Sequence, residues 1–363
     1  MTIDAQITGN TANNGAGIAV NGSDSCKVLL NGAVTGNKTR EDKNGYTTWT
    51  RQQQSAGVSV KGGPVECRAD IKDNVGSRGV YVGENGHLTF SGGEISGHMN
   101  GVKDGEEKGG VVVVETNGIL NGALVMKGGA VGVDRGGTFE MTGGRITGNA
   151  VGAESCVIKG GAIYAGQLLN SNYRSDDASV IISGGEITGN AVEAAETVTQ
   201  ISGGAICADG YSNLTVSGGD IYENALGKAG LIQGGGIYVY ACDADLTMTG
   251  GDIYRNAEGG KIQGGGVHLY GYSSSSNGAC AITGGTIREN GQTGLYETDQ
   301  DNIDNGIYTV NVGGGVYVGR GVSLTIGGDA VISRNTAQAG GGIYAEASGA
   351  LTVGGNAIIT ENE

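Results

Sequence analysis

The chain has 363 residues, including 75 glycines and a single proline, and its formal net charge is −15. This acidic balance leaves no basic stripe to neutralise phosphates, which argues against nucleic acid as a partner. The four consecutive valines at 111–114 are only the length of one strand, and no apolar run approaches the roughly 20 residues that a membrane span needs. We therefore expect no membrane insertion. Absence of a three-residue glycine period excludes collagen.

A short phrase, an apolar residue followed by two residues and Asn, recurs along the whole chain. Ile187-Thr188-Gly189-Asn190 is an example. The phrase ends at Asn10, Asn37, Asn74, Asn149, Asn190, Asn224, Asn256, Asn290, Asn335 and Asn362. Two further phrases fit with the Asn replaced, ending at His98 and Lys127. The variable spacing between phrases predicts a solenoid with one coil per repeat and loops inserted into some coils.

A second phrase, two or three glycines followed by an apolar–variable–apolar triplet, alternates with the Asn phrase. The triplet at Ile237-Tyr238-Val239 is typical, and its period of two indicates a strand with one buried face. A third strand, such as Leu246-Thr247-Met248, precedes each Asn phrase. These patterns predict an all-β chain, a single right-handed parallel β-helix of about eleven coils with three short strands per coil.

We expect residues 1–363 to form one domain that is a segment of a larger surface protein. Met1-Thr2-Ile3 matches the strand phrase Leu324-Thr325-Ile326, so the chain opens directly on a coil, and nothing resembling a cap follows Asn362. The scattered cysteines, with no Cys-x-x-Cys pair among the 6, favour free thiols over a disulfide framework.

Two long insertions carry candidate site residues. The first contains Tyr46, Trp49 and Arg51, and a lone Trp on a polar insertion is either a recognition patch or a lid folded back over a coil. The second, between 291 and 312, contains Asp299, Asp301 and Asp304. Its oxygen-rich side chains make it a candidate Ca²⁺ site, although the order of ligands in an EF-hand loop is missing. No other cofactor is indicated.

Carboxylates occupy one outward position in three consecutive coils, at Glu186, Asp220 and Asp252, with Tyr222 and Tyr254 two residues further on. At the coil spacing of about 5 Å, such carboxylates resemble the pair of a retaining glycosidase or a Ca²⁺ site. The alternative, which we favour, is a solvated acidic face, because no partner acid and no cleft are evident. The five residues are candidate ligand-binding residues.

The middle position of the glycine-rich triplets forms an aromatic row. Its members are Tyr81, Tyr164, Cys207, Tyr238, His268, Tyr317 and Tyr344. These side chains point away from the core, and we expect an exposed row. Exposed aromatic rows suit sugar faces and protein partners, but they also arise from cross-strand packing alone.

The repeats resemble two families of bacterial surface proteins. Gly-Gly-Ala-Ile at 160–163 and 203–206, alternating with the Asn phrase, resembles the repeat pair of chlamydial polymorphic outer-membrane proteins, which are β-helical adhesins. Ser-Gly-Gly-Glu-Ile-Thr-Gly-Asn at 183–190 resembles surface-protein repeats of gut Firmicutes. The chain has Ile or Val where the chlamydial repeat has Phe, which favours a Gram-positive surface protein. The matching motifs are structural, so the resemblance assigns no functional residue.

The sequence therefore predicts a non-enzymatic adhesin or stalk segment at a bacterial cell surface, outside the cell. Its expected partners are host glycans or surface proteins, together with flanking domains of a longer chain. The alternative is a carbohydrate-active enzyme, a polysaccharide lyase or glycoside hydrolase, because parallel β-helices often carry such sites. An enzyme should show charged residues of both signs on adjacent coils, walled by loops.

Overall fold

The structure is a computed structural model. It describes residues 1–12, 15–23, 25, 27–39, 56–74, 78–98, 101–103, 106–108, 124–150, 156–168, 177–192, 198–241, 244–271, 279–292, 311–347 and 349–363. The described residues form strands and turns without a helix. The fold is all-β, with parallel strands in stacked sheets, as in a β-solenoid.

The largest sheet, here called the Asn sheet, has 17 strands and contains every Asn phrase. Its strands are Thr2–Ile3, Ile7–Thr8, Val28–Leu30, Val34–Thr35, Gly63–Cys67, Ile71–Lys72, Gly86–Phe90, Glu94–Ser96, Thr138–Thr147, Ala178–Thr188, Ser212–Tyr222, Ala244–Tyr254, Ala279–Arg288, Ser323–Ile326, Val331–Ser333, Ala350–Val353 and Ile358–Thr360. The strand before an Asn phrase and the phrase itself thus belong to one sheet.

The second sheet, the Gly sheet, consists of the 10 strands that follow the glycine-rich corners. They are Ile18–Asn21, Val58–Lys61, Val80–Val82, Val131–Val133, Ile163–Ala165, Ile206–Ala208, Ile237–Tyr240, Val267–Tyr270, Val316–Val318 and Ile343–Ala345. Consecutive strands pair in parallel and in register, as Ile206 with Ile237. Both apolar positions of each triplet therefore point into the core, as the period of two predicts.

The sequence analysis missed a third sheet, the Gln sheet, which lies between an Asn phrase and the next glycine-rich corner. Its 5 strands are Leu124–Lys127, Cys156–Lys159, Gln200–Ser202, Leu231–Gln233 and Lys261–Gln263. Two strand pairs complete the described structure, namely Thr11–Ala12 with Lys38–Thr39 and Gly101–Lys103 with Glu106–Lys108.

One prediction about the repeat is wrong because of this third sheet. The phrase ending at Lys127 was assigned to the Asn position, but Lys127 pairs with Lys159 in the Gln sheet. His98 does take the Asn position, since its backbone N–H donates to Oδ1 of Asn149 at 3.2 Å. Both substitutions keep the apolar residue three positions earlier, so the pattern alone could not separate them.

Asparagines form a hydrogen-bonded ladder at the turn after the Asn phrases, which His98 interrupts between Asn74 and Asn149. Asn224 shows the pattern: its Nδ2 donates to Oδ1 of Asn256 at 3.0 Å, and its backbone N–H donates to the same oxygen at 3.1 Å. The same Nδ2 also reaches the carbonyl oxygens of Ile187 and Tyr222, each at 2.9 Å. Each amide thus satisfies backbone groups in its own coil and in the preceding coil, and it donates to the side-chain amide of the next coil, which explains why Asn recurs there.

The central strands of the Asn sheet bend at a Gly-Gly pair, so that each presents two outward faces. Gly185 shows why glycine is needed: its φ is +85°, and an added Cβ would lie 2.7 Å from the backbone carbonyl oxygen of Gly144. The pairing register shifts at the same point. The bend places Thr215 and its neighbours on one face, and the carboxylates of the sequence analysis on the other.

Candidate functional site

The three predicted carboxylates lie side by side on adjacent strands of the Asn sheet, beyond the Gly-Gly bend. Glu186 pairs with Asp220, and Asp220 pairs with Asp252. Thr286 follows in the next strand. Tyr222 and Tyr254 pair with each other two residues further on. The structure therefore brings together all five residues, which we call the carboxylate row.

Two arginines close the carboxylate row at its ends. Arg145 pairs with Glu186 in the preceding strand, and its guanidinium donates a hydrogen bond to Oε2 of Glu186. At the other end, Nη2 of Arg288 donates to Oδ2 of Asp252 at 3.0 Å. The sequence analysis missed Arg145, although it stands four residues before Asn149, as Glu186 stands four before Asn190. Counting back from each Asn would have found it.

The two tyrosines of the row stack on each other rather than facing solvent. Their ring centroids are 4.9 Å apart and the rings are nearly parallel, at 4°. The guanidinium of Arg288 lies 4.2 Å from the centroid of Tyr254, and the hydroxyl of Tyr222 donates to Oε2 of Glu186 at 3.1 Å. At least one face of Tyr222 and both faces of Tyr254 are therefore occupied by neighbours in the chain.

Asp220 is the only member of the row whose carboxylate has no ion pair or side-chain hydrogen bond among the described residues. Partial burial raises its pKa, and the negative charges of Asp252 and Glu186 raise it further, while Arg288 acts in the opposite direction. A carboxyl with a raised pKa flanked by ionised carboxylates is the arrangement from which general acids are built.

The expectation of an exposed aromatic row on the Gly sheet is wrong. Tyr81, Tyr164 and His268 are 1%, 1% and 0% exposed, although they point away from the main core. Tyr164 packs with Cys207 and Tyr238 in a second cluster, against which Leu168, Tyr240 and Tyr270 pack. Strand alternation gives the direction in which a side chain points, but not whether another segment covers it.

Charged groups reach into this covered layer. Nζ of Lys159 lies 2.8 Å from Oδ2 of Asp209, to which the hydroxyl of Tyr164 also donates at 3.1 Å. Although burial opposes it, the nearby Lys159 lowers the pKa of Asp209. Burial lowers the pKa of His268 to about 3, and its ring stacks between Tyr238 and Tyr317 at 5.3 and 4.4 Å. Most side chains of the aromatic row are thus buried packing residues rather than an exposed aromatic surface.

Other candidates fall outside the described residues. Tyr46, Trp49 and Arg51 of the first insertion lie there, and so do Asp299, Asp301 and Asp304 of the candidate Ca²⁺ loop. Within the described ranges, no group of three or more His, Cys, Asp or Glu side chains could hold a metal ion. In the same ranges no helix has the length and apolar character needed to cross a bilayer.

Three thiols in the described part of the chain are unpaired. Cys67, Cys207 and Cys280 are free and buried, as expected for small core residues rather than a disulfide framework. Burial raises the pKa of Cys67 and of Cys280 to about 12. These thiols are therefore protonated and poor nucleophiles at neutral pH, so they offer no catalytic chemistry.

Comparison with protein family models, with curated proteins and with solved structures gives no match. The resemblance to chlamydial and Firmicutes surface repeats therefore stays a prediction from sequence.

Proposed function

We propose that this chain is a non-enzymatic adhesin or stalk segment of a bacterial cell surface, which binds host glycans or surface proteins. The observation that carries the proposal is that most side chains at the carboxylate row are bound to one another. Both arginines and both tyrosines are engaged by neighbours within the chain. Side chains committed in this way stabilise a regular outer face and leave no carboxylate pair directed at a common substrate position.

For the fold itself we propose a single right-handed β-helix of about eleven coils, spanning residues 1–363. The proposal extends the parallel pairing to the whole chain, and the right-handed sense follows the preference of parallel crossover connections. At about 4.8 Å per coil, the rod would be about 50 Å long. A rod of this kind would hold its outer faces at a fixed distance from a cell envelope, between flanking domains.

The location and the cofactor also belong to this proposal. An extracellular position suits a net charge of −15, which keeps the rod soluble and repels like copies. Ca²⁺ bound at Asp299, Asp301 and Asp304 would supply a local cation on this acidic surface. No other cofactor is proposed.

The adhesin role is tested by attachment. Beads coated with the chain are allowed to settle on epithelial cells and then washed, with beads carrying an unrelated protein of similar net charge as the control. The proposal expects the coated beads to remain attached well above the control, and enzymatic removal of cell-surface glycans or proteins to identify the partner class. Attachment no higher than the control on all cells tested would refute the proposal.

A second candidate, a carbohydrate-active enzyme, has one observation in its favour, the raised pKa of Asp220 between two carboxylates. A retaining hydrolase or a lyase built on this row would need Asp220 as its acid, with Glu186 or Asp252 as its partner. New chain ends are measured after incubation with a panel of polysaccharides. Cleavage by the wild type that is lost in folded Asp220→Asn would support the enzyme over the adhesin.

A further inference from the structure

A strained tyrosine marks a corner of the rod that the sequence analysis did not single out. Tyr211 has φ of +62°, and it precedes the strand Ser212–Tyr222. In the adjacent coil the equivalent corner residue is Asp177, and in the two coils before it, two positions before the paired residues His87 and Thr138, the corner residue is Asn85 or Gly136. Asn85 and Gly136 have positive φ, but Asn and Gly accept this conformation readily, whereas a bulky aromatic residue is strained there.

The other strained residues have a structural explanation, and Tyr211 does not. Among the described residues, all remaining non-glycine positions with positive φ, apart from Asn85, directly precede or follow a ladder residue at an Asn turn. They are Asp73, Ala150, Ala191, Glu223, Ala225, Arg255, Ala257, Glu289, Arg334 and Glu361. The Asn turn itself requires them. At the position of Tyr211 a glycine would adopt the same backbone conformation without strain, so the turn does not explain the tyrosine side chain. Residues held in strained backbone conformations concentrate at ligand-binding sites.

The ring is also the only exposed tyrosine in the part of the chain that the structure describes, with 41% of its surface accessible. This exposure remains although the guanidinium of Arg135 lies 4.1 Å from the ring centroid. Its hydroxyl has no hydrogen-bond partner among the described residues. The ring therefore offers an apolar surface and a polar tip to a ligand, in contrast to the mutually stacked tyrosines of the carboxylate row.

Arg135 likewise has unused hydrogen-bonding capacity. Its Nε is buried and has no hydrogen-bond partner, and no ion pair joins its guanidinium to a described carboxylate. An exposed cation–π contact with Tyr211 contributes less than the strain of a non-glycine residue at such a corner costs. The Arg135–Tyr211 contact by itself therefore does not account for a tyrosine at this position.

Two more polar side chains stand at the same corner. Asp177 precedes the strand that lies between the strand after Arg135 and the strand after Tyr211. Its carbonyl oxygen accepts from the N–H of Gly136 at 3.2 Å, and the carbonyl oxygen of Tyr211 accepts from the N–H of Ala178 at 2.9 Å. Nδ2 of Asn213 is 3.5 Å from Oδ2 of Asp177, a contact at the limit of a hydrogen bond. Both side chains are exposed.

We propose that Arg135, Asp177, Tyr211 and Asn213, the Tyr211 corner, form a binding site for an uncharged glycan. The exposed ring of Tyr211 would stack on the apolar C–H face of a pyranose with equatorial hydroxyls. The carboxylate of Asp177 and the amide of Asn213 would bind neighbouring hydroxyls, as acceptor and donor. Asp177 and the net charge of −15 disfavour sulfated or carboxylated glycans. The inference rests on the proposed adhesin role for the source of the glycan, but not for the binding itself.

The test uses saturation-transfer NMR of the whole chain with cellotetraose, chitotetraose and β-1,4-galactotetraose, and with a sulfated tetrasaccharide for comparison. The proposal expects transfer to at least one uncharged tetrasaccharide. It expects binding about tenfold weaker or lost in Tyr211→Gly, and largely kept in Tyr211→Phe. Tyr344→Ala, which alters a tyrosine on the Gly sheet, is the control and should bind as the wild type does.

Stability separates this role from a structural one. Because Tyr211→Gly relieves a positive φ, the proposal expects a melting temperature equal to or above that of the wild type while binding is lost. A lower melting temperature with binding intact would assign Tyr211 to structure and overturn the proposal. So would transfer to the sulfated tetrasaccharide alone, or to none of the four. If one of these outcomes overturns the site and beads coated with Tyr211→Gly still attach to cells, the adhesin role is retained and the glycan site at Tyr211 is rejected.

Discussion

The Asn ladder should carry much of the stability of the stack, and Asn256→Leu tests this most sharply. Asn256 is 1% exposed. Its Oδ1 accepts from the backbone N–H and from Nδ2 of Asn224, at 3.1 and 3.0 Å. Its Nδ2 donates to Oδ1 of Asn290 at 3.0 Å and to the carbonyl oxygen of Ile221 at 2.9 Å. Leucine fills a similar volume but replaces none of these bonds.

The cost follows from the groups left without partners. The buried N–H of Asn224 loses its acceptor, and the carbonyl oxygen of Ile221 loses a donor. An unsatisfied buried polar group costs about 1–3 kcal/mol, so the expected loss in the free energy of unfolding is about 2–5 kcal/mol. Urea unfolding measures the loss, and hydrogen exchange locates it, since stability in a solenoid is a sum over coils and their interfaces. Amides near Asn224 and Asn290 should lose protection first.

Asn213→Leu is the matched control for this prediction. Asn213 is exposed, and among the described residues its side chain makes one hydrogen bond, at 3.5 Å with Asp177. Surface changes of this kind alter stability by about 0.5 kcal/mol or less. Equal unfolding midpoints for Asn256→Leu and Asn213→Leu would mean that water replaces the ladder bonds, and the explanation of the Asn turn would be wrong.

Three further predictions concern titratable groups. Burial lowers the pKa of His268 to about 3, so the unfolded chain binds the proton more readily and stability falls as pH drops from about 6.5 towards 3, by up to about 1.4 kcal/mol per pH unit. His268→Tyr, which installs the residue of neighbouring coils, should lose less stability than the wild type between about pH 7 and pH 4, and an unchanged loss would place the acid sensitivity elsewhere. Cys67 and Cys280 should resist iodoacetamide in the native state and react in denaturant, because burial raises the pKa of each to about 12; peptide mapping that finds native labelling would contradict their burial. Asp220→Asn should raise the free energy of unfolding at pH 7 by no more than about 1 kcal/mol, which urea unfolding measures. The reason is that the pKa of Asp220 is raised in the folded chain, so its ionised form destabilises the fold as pH rises through the folded pKa. A lower free energy of unfolding in the variant would show that an attractive contact of Asp220 dominates.

Much of the stack could be predicted from the sequence, because its determinants are local. An apolar residue two positions from another, as in Ile237 and Val239, sets a strand with one buried face, and the pattern recurs in register. Asn at a fixed distance after an apolar residue indicates a turn at which the side-chain amide forms hydrogen bonds with backbone N–H and carbonyl groups. These rules also placed Glu186, Asp220 and Asp252 on one row, where the structure has them.

The rest depends on contacts between segments that are distant in sequence. Tyr164 points outwards as expected, but it is buried in a second cluster with Cys207 and Tyr238. Lys127 resembles a ladder residue in sequence, and only its pairing with Lys159 assigns it to the Gln sheet. Tyr211 carries no repeat signature, and its strain is visible only in the backbone angle at that corner.

The claim that this chain binds glycans without cleaving them is tested most directly by recovering a bound glycan. The immobilised chain is incubated with a pool of host mucin oligosaccharides, and the retained fraction is eluted and its chain lengths are measured by mass spectrometry. The account predicts retention of uncharged oligosaccharides whose lengths match the starting pool. Shortened oligosaccharides or unsaturated ends would contradict it in favour of an enzyme, and no retention at all would contradict glycan binding itself.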